Sequence, residues 1–341
     1  MFQKKPYLIA EVGSNHLGDP KLCISSIKQA KKAGADCVKF QLFDETNLVN
    51  QKMKIYKHVK DKKLSYQYER FKKVKISLDL VKKLSKISRD NKIDFCVTPF
   101  DPSYVRNLTK YIKFFKVASG DLNNIPLLKE IAKTKKKVVI STGMSNLEEI
   151  KYALSYFKKK NVTLLHCMSC YPTKNTDANL INIRKLKEKF NLEVGYSDHT
   201  EGIDAAANSV FFGAMVIEKH FMPKITRLAG DYKLSIDQKK LKDLVINIKK
   251  NFQLIGKERI SHYDCEKYYK KTLRRSIYFS KDIKVNQKIK MSDLNFLRPF
   301  SETGLKLEDY KKLLGSKLKI KVKKNQLVKK VHFEKWEKLS V

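Results

Sequence analysis

The sequence predicts an eight-stranded parallel β/α barrel, a TIM (β/α)8 barrel, followed by a smaller C-terminal domain. Three observations predict it. β-rich runs alternate with helical runs through eight steps, each β-run ends in polar groups, and 341 residues with 42% hydrophobic content suffice for one large core and a small one.

The first step is the apolar run 7–12, then an amphipathic helix over 21–33 that Gly34 closes, then the strand 37–42. A longer polar insertion, 44–77, precedes the helix 78–90. The strand 93–98, a short helix after Pro102, the strand 114–118 and the helix 125–133 follow. Next come the strand 137–142, the helix 147–157, the strand 162–166 and the helix 180–190. The last two strands, 192–196 and 215–218, flank small and apolar residues over 202–213 that read as one helix. This final βαβ unit organises the chain, because its strands lead into His199 and His220. Neighbouring parallel strands bring their C-terminal ends together, so both imidazoles fall within reach of one divalent ion. Glu218 precedes His220 by two residues and points the same way on a strand. Either histidine alone would read as a buried strand cap.

The composition excludes several classes. The longest apolar run falls well short of the roughly 20 residues that a membrane span needs, and the N-terminal stretch is too short for a signal peptide. Six irregularly spaced cysteines suit a cytoplasmic protein with reduced thiols. Cys167 and Cys170 form a Cys-x-x-Cys with no second ligand pair at metal spacing, and read as coincidence. A net charge of +38 invites a nucleic-acid reading, but the lysines are scattered over every helix surface without a recognition motif. The basic field instead favours anionic small substrates. Nucleotide-binding glycine loops are absent.

The strand ends carry Glu11, Lys39, Gln41, Thr98, Lys116, Ser119, Ser141, His166, Ser197, Asp198, His199, Glu218 and His220. At the C-terminal face of a barrel these form an active site. Two lysines and several hydroxyls converging from different strands suit a small phosphate monoester.

The motifs Ile9-Ala-Glu11-Val-Gly-Ser-Asn15-His16, Val38-Lys39-Phe-Gln41 and Phe115-Lys116-Val-Ala-Ser119-Gly120 are followed in order by four more. These are Ser141-Thr142-Gly143-Met144, Tyr171-Pro172-Thr173, Ser197-Asp198-His199-Thr200 and Glu218-Lys219-His220-Phe221. Together they resemble the sialic acid synthase family over nearly the whole chain. Beyond the barrel, Arg275-Ser-Ile-Tyr-Phe-Ser and Leu297-Arg298-Pro299 resemble that family's antifreeze-like (SAF) β-clip domain. The resemblance implies a barrel over 1–256, a linker over 257–274 and the small domain over 275–341.

The resemblance further implies condensation of phosphoenolpyruvate with an N-acetylated amino sugar to a nine-carbon 2-keto acid, with release of phosphate. Lys39, Gln41, Thr98, Lys116, Ser119, Ser141, Ser169 and Ser197 then match the phosphoenolpyruvate positions. Tyr171, Asp231 and Asp121, the last where Glu is usual, match positions beside the sugar. His199 and His220 hold manganese or magnesium, and either Glu11 or Glu218 handles the attacking water. Arg298 reaches the sugar from the partner in a domain-swapped homodimer. N-acetylmannosamine is the acceptor expected, with legionaminic or pseudaminic acid synthesis as rivals because Leu228-Ala229-Gly230-Asp231-Tyr232 departs from the usual motif. Enzymes making seven- or eight-carbon keto-sugar phosphates share the chemistry but need a second basic site and usually lack the small domain. A non-catalytic barrel would not keep Glu11, Lys39, His199, Glu218 and His220 together.

Overall fold

The computed structural model describes residues 5–57, 59 and 64–334. The chain divides into two compact units, Met1–Gly256 and Lys257–Val341. In the first, eight parallel strands close into a barrel in sequence order. They are β1 (Tyr7–Gly13), β2 (Cys37–Leu42), β3 (Asp94–Pro99), β4 (Phe115–Val117), β5 (Val138–Ser141), β6 (Val162–Cys167), β7 (Glu193–Asp198) and β8 (Val216–His220). Closure comes from β1, where Glu11 pairs in register with Lys39 of β2 on one side and His220 of β8 on the other.

Alternation along the strands sorts the interior into layers. Ile9, Cys37, Cys96, Phe114, Val139, Leu165 and Val216 form an apolar cluster inside the barrel. Two residues further along the same chain segments stand Glu11, Lys39, Thr98, Lys116, Ser141, Cys167 and Glu218, all buried. One spacing thus builds both the apolar floor and the polar layer above it. The opposite faces, with Leu8, Ala10, Val38, Phe40, Phe95 and Val97, pack into the larger core beneath the helices. At β7 the inward position next to Val216 is Gly195, where a Cβ would stand 1.9 Å from the Val216 carbonyl oxygen. The missing side chain lets two backbones meet. Gly195→Ala is expected to cost about 3 kcal/mol as overpacking, seen in a thermal melt as a fall in Tm of about 6 °C or more.

The helices follow their end signals. Asp19 caps Pro20–Ala33 by accepting from the Lys21 amide, and Gly34, at φ 95°, ends it. The segment expected as one helix over 202–213 is instead a short helix, Asp204–Asn208, followed by a 3₁₀ turn, Ser209–Phe212. The Ser209 hydroxyl donates back to the Ala206 carbonyl at 2.7 Å, and such back-bonding competes with the helical ladder. The helix expected over 147–157 stops at Leu154 for a similar reason, with the Ser155 hydroxyl bonded to Tyr152 O. The polar insertion contains two helices of its own, Glu45–Leu48 and Gln67–Val74.

In the second unit, β9 (Ser276–Phe279) pairs antiparallel with β10 (Leu294–Leu297) over a core of Ile277, Phe279, Ile283, Leu313, Val322 and Val328. Residues 257–274 carry a helix, Lys267–Leu273, rather than plain linker. Among the described residues no helix is long and apolar enough to cross a membrane.

Candidate active site

A cavity of about 640 Å³ opens at the C-terminal ends of the barrel strands. Its centre is a charged lattice. Lys39 Nζ lies 2.8 Å from Glu11 Oε2 and 3.6 Å from Glu218 Oε2, and donates to Thr98 Oγ1 at 3.1 Å. Glu11 Oε1 accepts from Gln41 Nε2 at 2.8 Å. Lys116 Nζ donates to Ser141 Oγ at 2.6 Å and lies 3.9 Å from Glu218 Oε1, which also accepts from Ser197 Oγ at 3.0 Å. Each carboxylate faces at least one ammonium, which is what permits four charges to be buried together.

The two glutamates are driven apart. Burial raises the pKa of Glu11, and Glu218 adds to the rise against the opposing pull of Lys39. Burial acts on Glu218 in the same sense, but Lys116 and Lys39 overcome it and hold Glu218 down to about 2. Burial lowers the pKa of Lys116. For Lys39 burial works downward too, yet the two glutamates lift it above the ordinary lysine range. Such a split separates a carboxyl able to carry a proton from one that stays anionic.

Beside this lattice, Ser119 Oγ accepts from the Gly143 amide at 3.1 Å, and Ser169 Oγ is buried with no hydrogen-bond partner among the described residues. A Cβ on Gly143 would stand 2.4 Å from Ser169 Oγ and 2.8 Å from Ser119 Oγ. The glycine keeps the space between the hydroxyls open.

On the other side the rings of His199 and His220 stand 5.4 Å apart, and Tyr171 lies over His199 at 4.3 Å. His199 Nδ1 is 2.8 Å from the Met168 carbonyl, which can only accept, so that nitrogen carries a proton. Burial works to lower the pKa of His199, but Cys167 and the Met168 carbonyl raise it to about 9, so an ion bound at Nε2 would displace a proton there. His220 is neutral, because burial first and then His199 and Lys39 lower its pKa to about 3. Among the described residues its Nδ1 has no hydrogen-bond partner, and Asp231 Oδ2 lies 3.9 Å away. Two imidazoles with a carboxylate nearby fit a divalent ion that fills its shell with water and substrate oxygens. Among the described residues no group of three or more His, Cys, Asp and Glu gathers to hold an ion unaided.

Most sequence-derived candidates line this cavity: Glu11, Lys39, Gln41, Thr98, Lys116, Ser119, Ser141, Ser169, Tyr171, Ser197, His199, Glu218, His220 and Asp231. Asp121 does not. It sits in the 3₁₀ turn Ser119–Asp121, and its carboxylate accepts from Asn124 Nδ2 at 3.2 Å instead. Arg298 belongs to the second unit. His166 is tied to the Ala178 carbonyl at 2.9 Å, and Asp198 is fully buried against Lys219 at 2.8 Å, so both serve the scaffold. Sequence reasoning passed over Ser14, Arg70 and Cys167. Cys170 of the Cys-x-x-Cys is exposed, but Cys167 lines the cavity with its sulfur 3.7 Å from His199 Nδ1. Its place two residues after Leu165 of the barrel floor was the signal.

Comparison with known proteins decides the family. Residues 26–260 match the model of the NeuB family, and 274–334 match that of the SAF domain. The chain belongs to the NeuB family. An N,N'-diacetyllegionaminic acid synthase of Campylobacter jejuni is 36% identical over 96% of this chain and 99% of its own length. A pseudaminic acid synthase of the same organism is 33% identical over 97% of both. The solved N-acetylneuraminic acid synthetase of Leptospira borgpetersenii superposes with a TM-score of 0.70 at 31% identity, covering 78% of this chain and 90% of that one. Both the barrel and the antifreeze-like domain read from the motifs are therefore present in this NeuB chain, which is an enzyme of the synthase type.

Proposed function

We propose that the enzyme condenses phosphoenolpyruvate with a 2-acetamido sugar to a nine-carbon 2-keto sugar acid and releases phosphate. The observation that carries this reading is the buried set Lys39, Lys116, Glu11 and Glu218 beside the open space that Gly143 leaves between Ser119 and Ser169. Two cations and convergent hydroxyls suit a dianionic phosphate and a carboxylate in one small molecule. Lys116, Ser119, Ser141, Ser169 and Ser197 hold the phosphate, while Lys39, Gln41 and Thr98 orient the rest of the enol.

Carbon–carbon bond formation leaves a cationic centre at C2, which the anionic Glu218 stabilises across the site. Water then adds at C2 before phosphate leaves by C–O cleavage. Glu11, with its raised pKa and its Oε1 held by Gln41, takes the proton of that water. His199 and His220 would hold a divalent manganese or magnesium ion, whose Lewis acidity polarises the acceptor's aldehyde when bound. Tyr171 and Asp231 border the sugar.

The acceptor is N-acetylmannosamine or a related 2-acetamido hexose, a class that includes its 6-substituted derivatives. The legionaminic acid relative, together with the unusual Leu228-Ala229-Gly230 beside Asp231, supports a diacetamido acceptor as the second reading. The test is to incubate the protein with phosphoenolpyruvate, manganese and a panel of 2-acetamido hexoses, assaying phosphate and 2-keto acid together. Equal yields are expected, and no turnover with any acceptor contradicts the proposal.

The family resemblance also supports a homodimer in which Arg298 of one copy completes the partner's site. Mixed Arg298→Ala and His220→Ala dimers would contain one site with both lesions and one with neither. After proven subunit exchange, activity should return to about a quarter of wild type, since half the dimers are hybrids with one intact site each. No recovery would count against a shared site.

A further inference from the structure

Arg70, on the helix Gln67–Val74, is 8% exposed and lines the cavity, yet the chemistry above gives it no task. Its Nη2 donates to Ser14 Oγ at 3.2 Å and its Nη1 to Gln67 Oε1 at 3.5 Å, both neutral acceptors. Among the described residues no carboxylate lies within ion-pair distance of it. A guanidinium so deeply buried calls for an anion. Space has been cleared for it as well: a Cβ on Gly230 would stand 2.4 Å from Nη2 and 3.0 Å from Cζ. Gly230 is not among the positive-φ glycines, so room for the arginine, and not backbone geometry, explains it.

Position tells which ligand this cation meets. Ser14 follows β1 and Gly230 follows β8, whereas Lys116 and Ser141 stand on β4 and β5, across the barrel. Lys57 lines the same cavity. The site therefore has a second cationic end, opposite the phosphate cradle.

We infer that Arg70 binds an oxyanion carried by the acceptor sugar, a phosphate monoester or a carboxylate at the end remote from the aldehyde. This rests on the synthase reading, and it makes Arg70 a specificity residue. The fork of guanidinium donors matches two oxygens of such a group at once.

The test compares kcat/KM for 2-acetamido-2-deoxymannose, its 6-phosphate and the corresponding 6-uronic acid in wild type, Arg70→Met and Arg70→Lys. One charged sugar should be preferred by about 10- to 100-fold, and whether it is the phosphate or the uronate names the anion. Arg70→Met should erase the preference through the acceptor KM while leaving the phosphoenolpyruvate KM in place, and Arg70→Lys should restore part of it. Equal or better use of the neutral sugar by wild type, or a preference that survives Arg70→Met, overturns the inference. Binding is measured apart from turnover, by calorimetry with the aldehyde-free probes 2-acetamido-2-deoxymannitol 6-phosphate and the matching uronate analogue. If no acceptor turns over, the synthase reading fails by itself, and the probes decide: at least tenfold weaker binding of either one in Arg70→Met supports the oxyanion site, and unchanged or absent binding of both removes it.

Discussion

Replacing Lys116 with Met is expected to lower kcat/KM for phosphoenolpyruvate by about 100- to 1,000-fold, the effect of deleting one preorganised donor from a dry site. The ammonium donates to Ser141 Oγ and faces Glu218, so its loss removes the proposed phosphate contact and the largest of the cationic influences that keep Glu218 ionised. Methionine fills most of the volume, and Glu218 keeps Lys39 at 3.6 Å, so the barrel should still fold. Steady-state kinetics beside a thermal melt separates the two consequences. A Lys116→Met enzyme within tenfold of wild type would remove Lys116 from the chemistry.

The other large effect concerns the paired histidines. His199→Ala and His220→Ala each delete one imidazole from a set with few alternatives among the described residues. Each should weaken manganese binding by at least about 100-fold, above the 10- to 100-fold typical of losing a group that only orients a ligand. Cys167→Ser serves as the comparison of that second kind, since its sulfur lies against His199, while exposed Cys170→Ser should change nothing. Calorimetric titration of the four variants gives the ranking. Wild-type affinity in both histidine variants would leave the ion without its proposed ligands.

Much of this was legible in the sequence because a parallel barrel imposes a simple grammar. Strands buried on both faces read as apolar runs, and the first polar residue on the inward face marks the mouth. Ile9 and Glu11, Cys37 and Lys39, Val139 and Ser141, and Val216 and Glu218 all repeat that two-residue step. Asp121 stands apart from the cavity lining because it follows the strand proper, in a 3₁₀ turn where its carboxylate accepts from Asn124. Arg70 was hidden because Gln67–Val74 looks like any charged surface helix, and only the tertiary approach of Ser14 and Gly230 shows the guanidinium to be buried. Cys167 was set aside as half of a Cys-x-x-Cys, although its spacing from Leu165 already placed it on the inward face. Local motifs revealed each strand end, whereas contacts made by insertions depend on the whole fold.

The condensation itself is tested most directly by one measurement: mass spectrometry of both products after turnover of phosphoenolpyruvate labelled with ¹⁸O in its bridging oxygen. On the proposed mechanism the lattice of Glu11, Glu218, Lys39 and Lys116 supports water addition at C2 and C–O cleavage, so the label should leave wholly in phosphate while the acceptor gains the three carbons of pyruvate. Label retained in the keto acid, or free pyruvate in place of an elongated sugar acid, would contradict it.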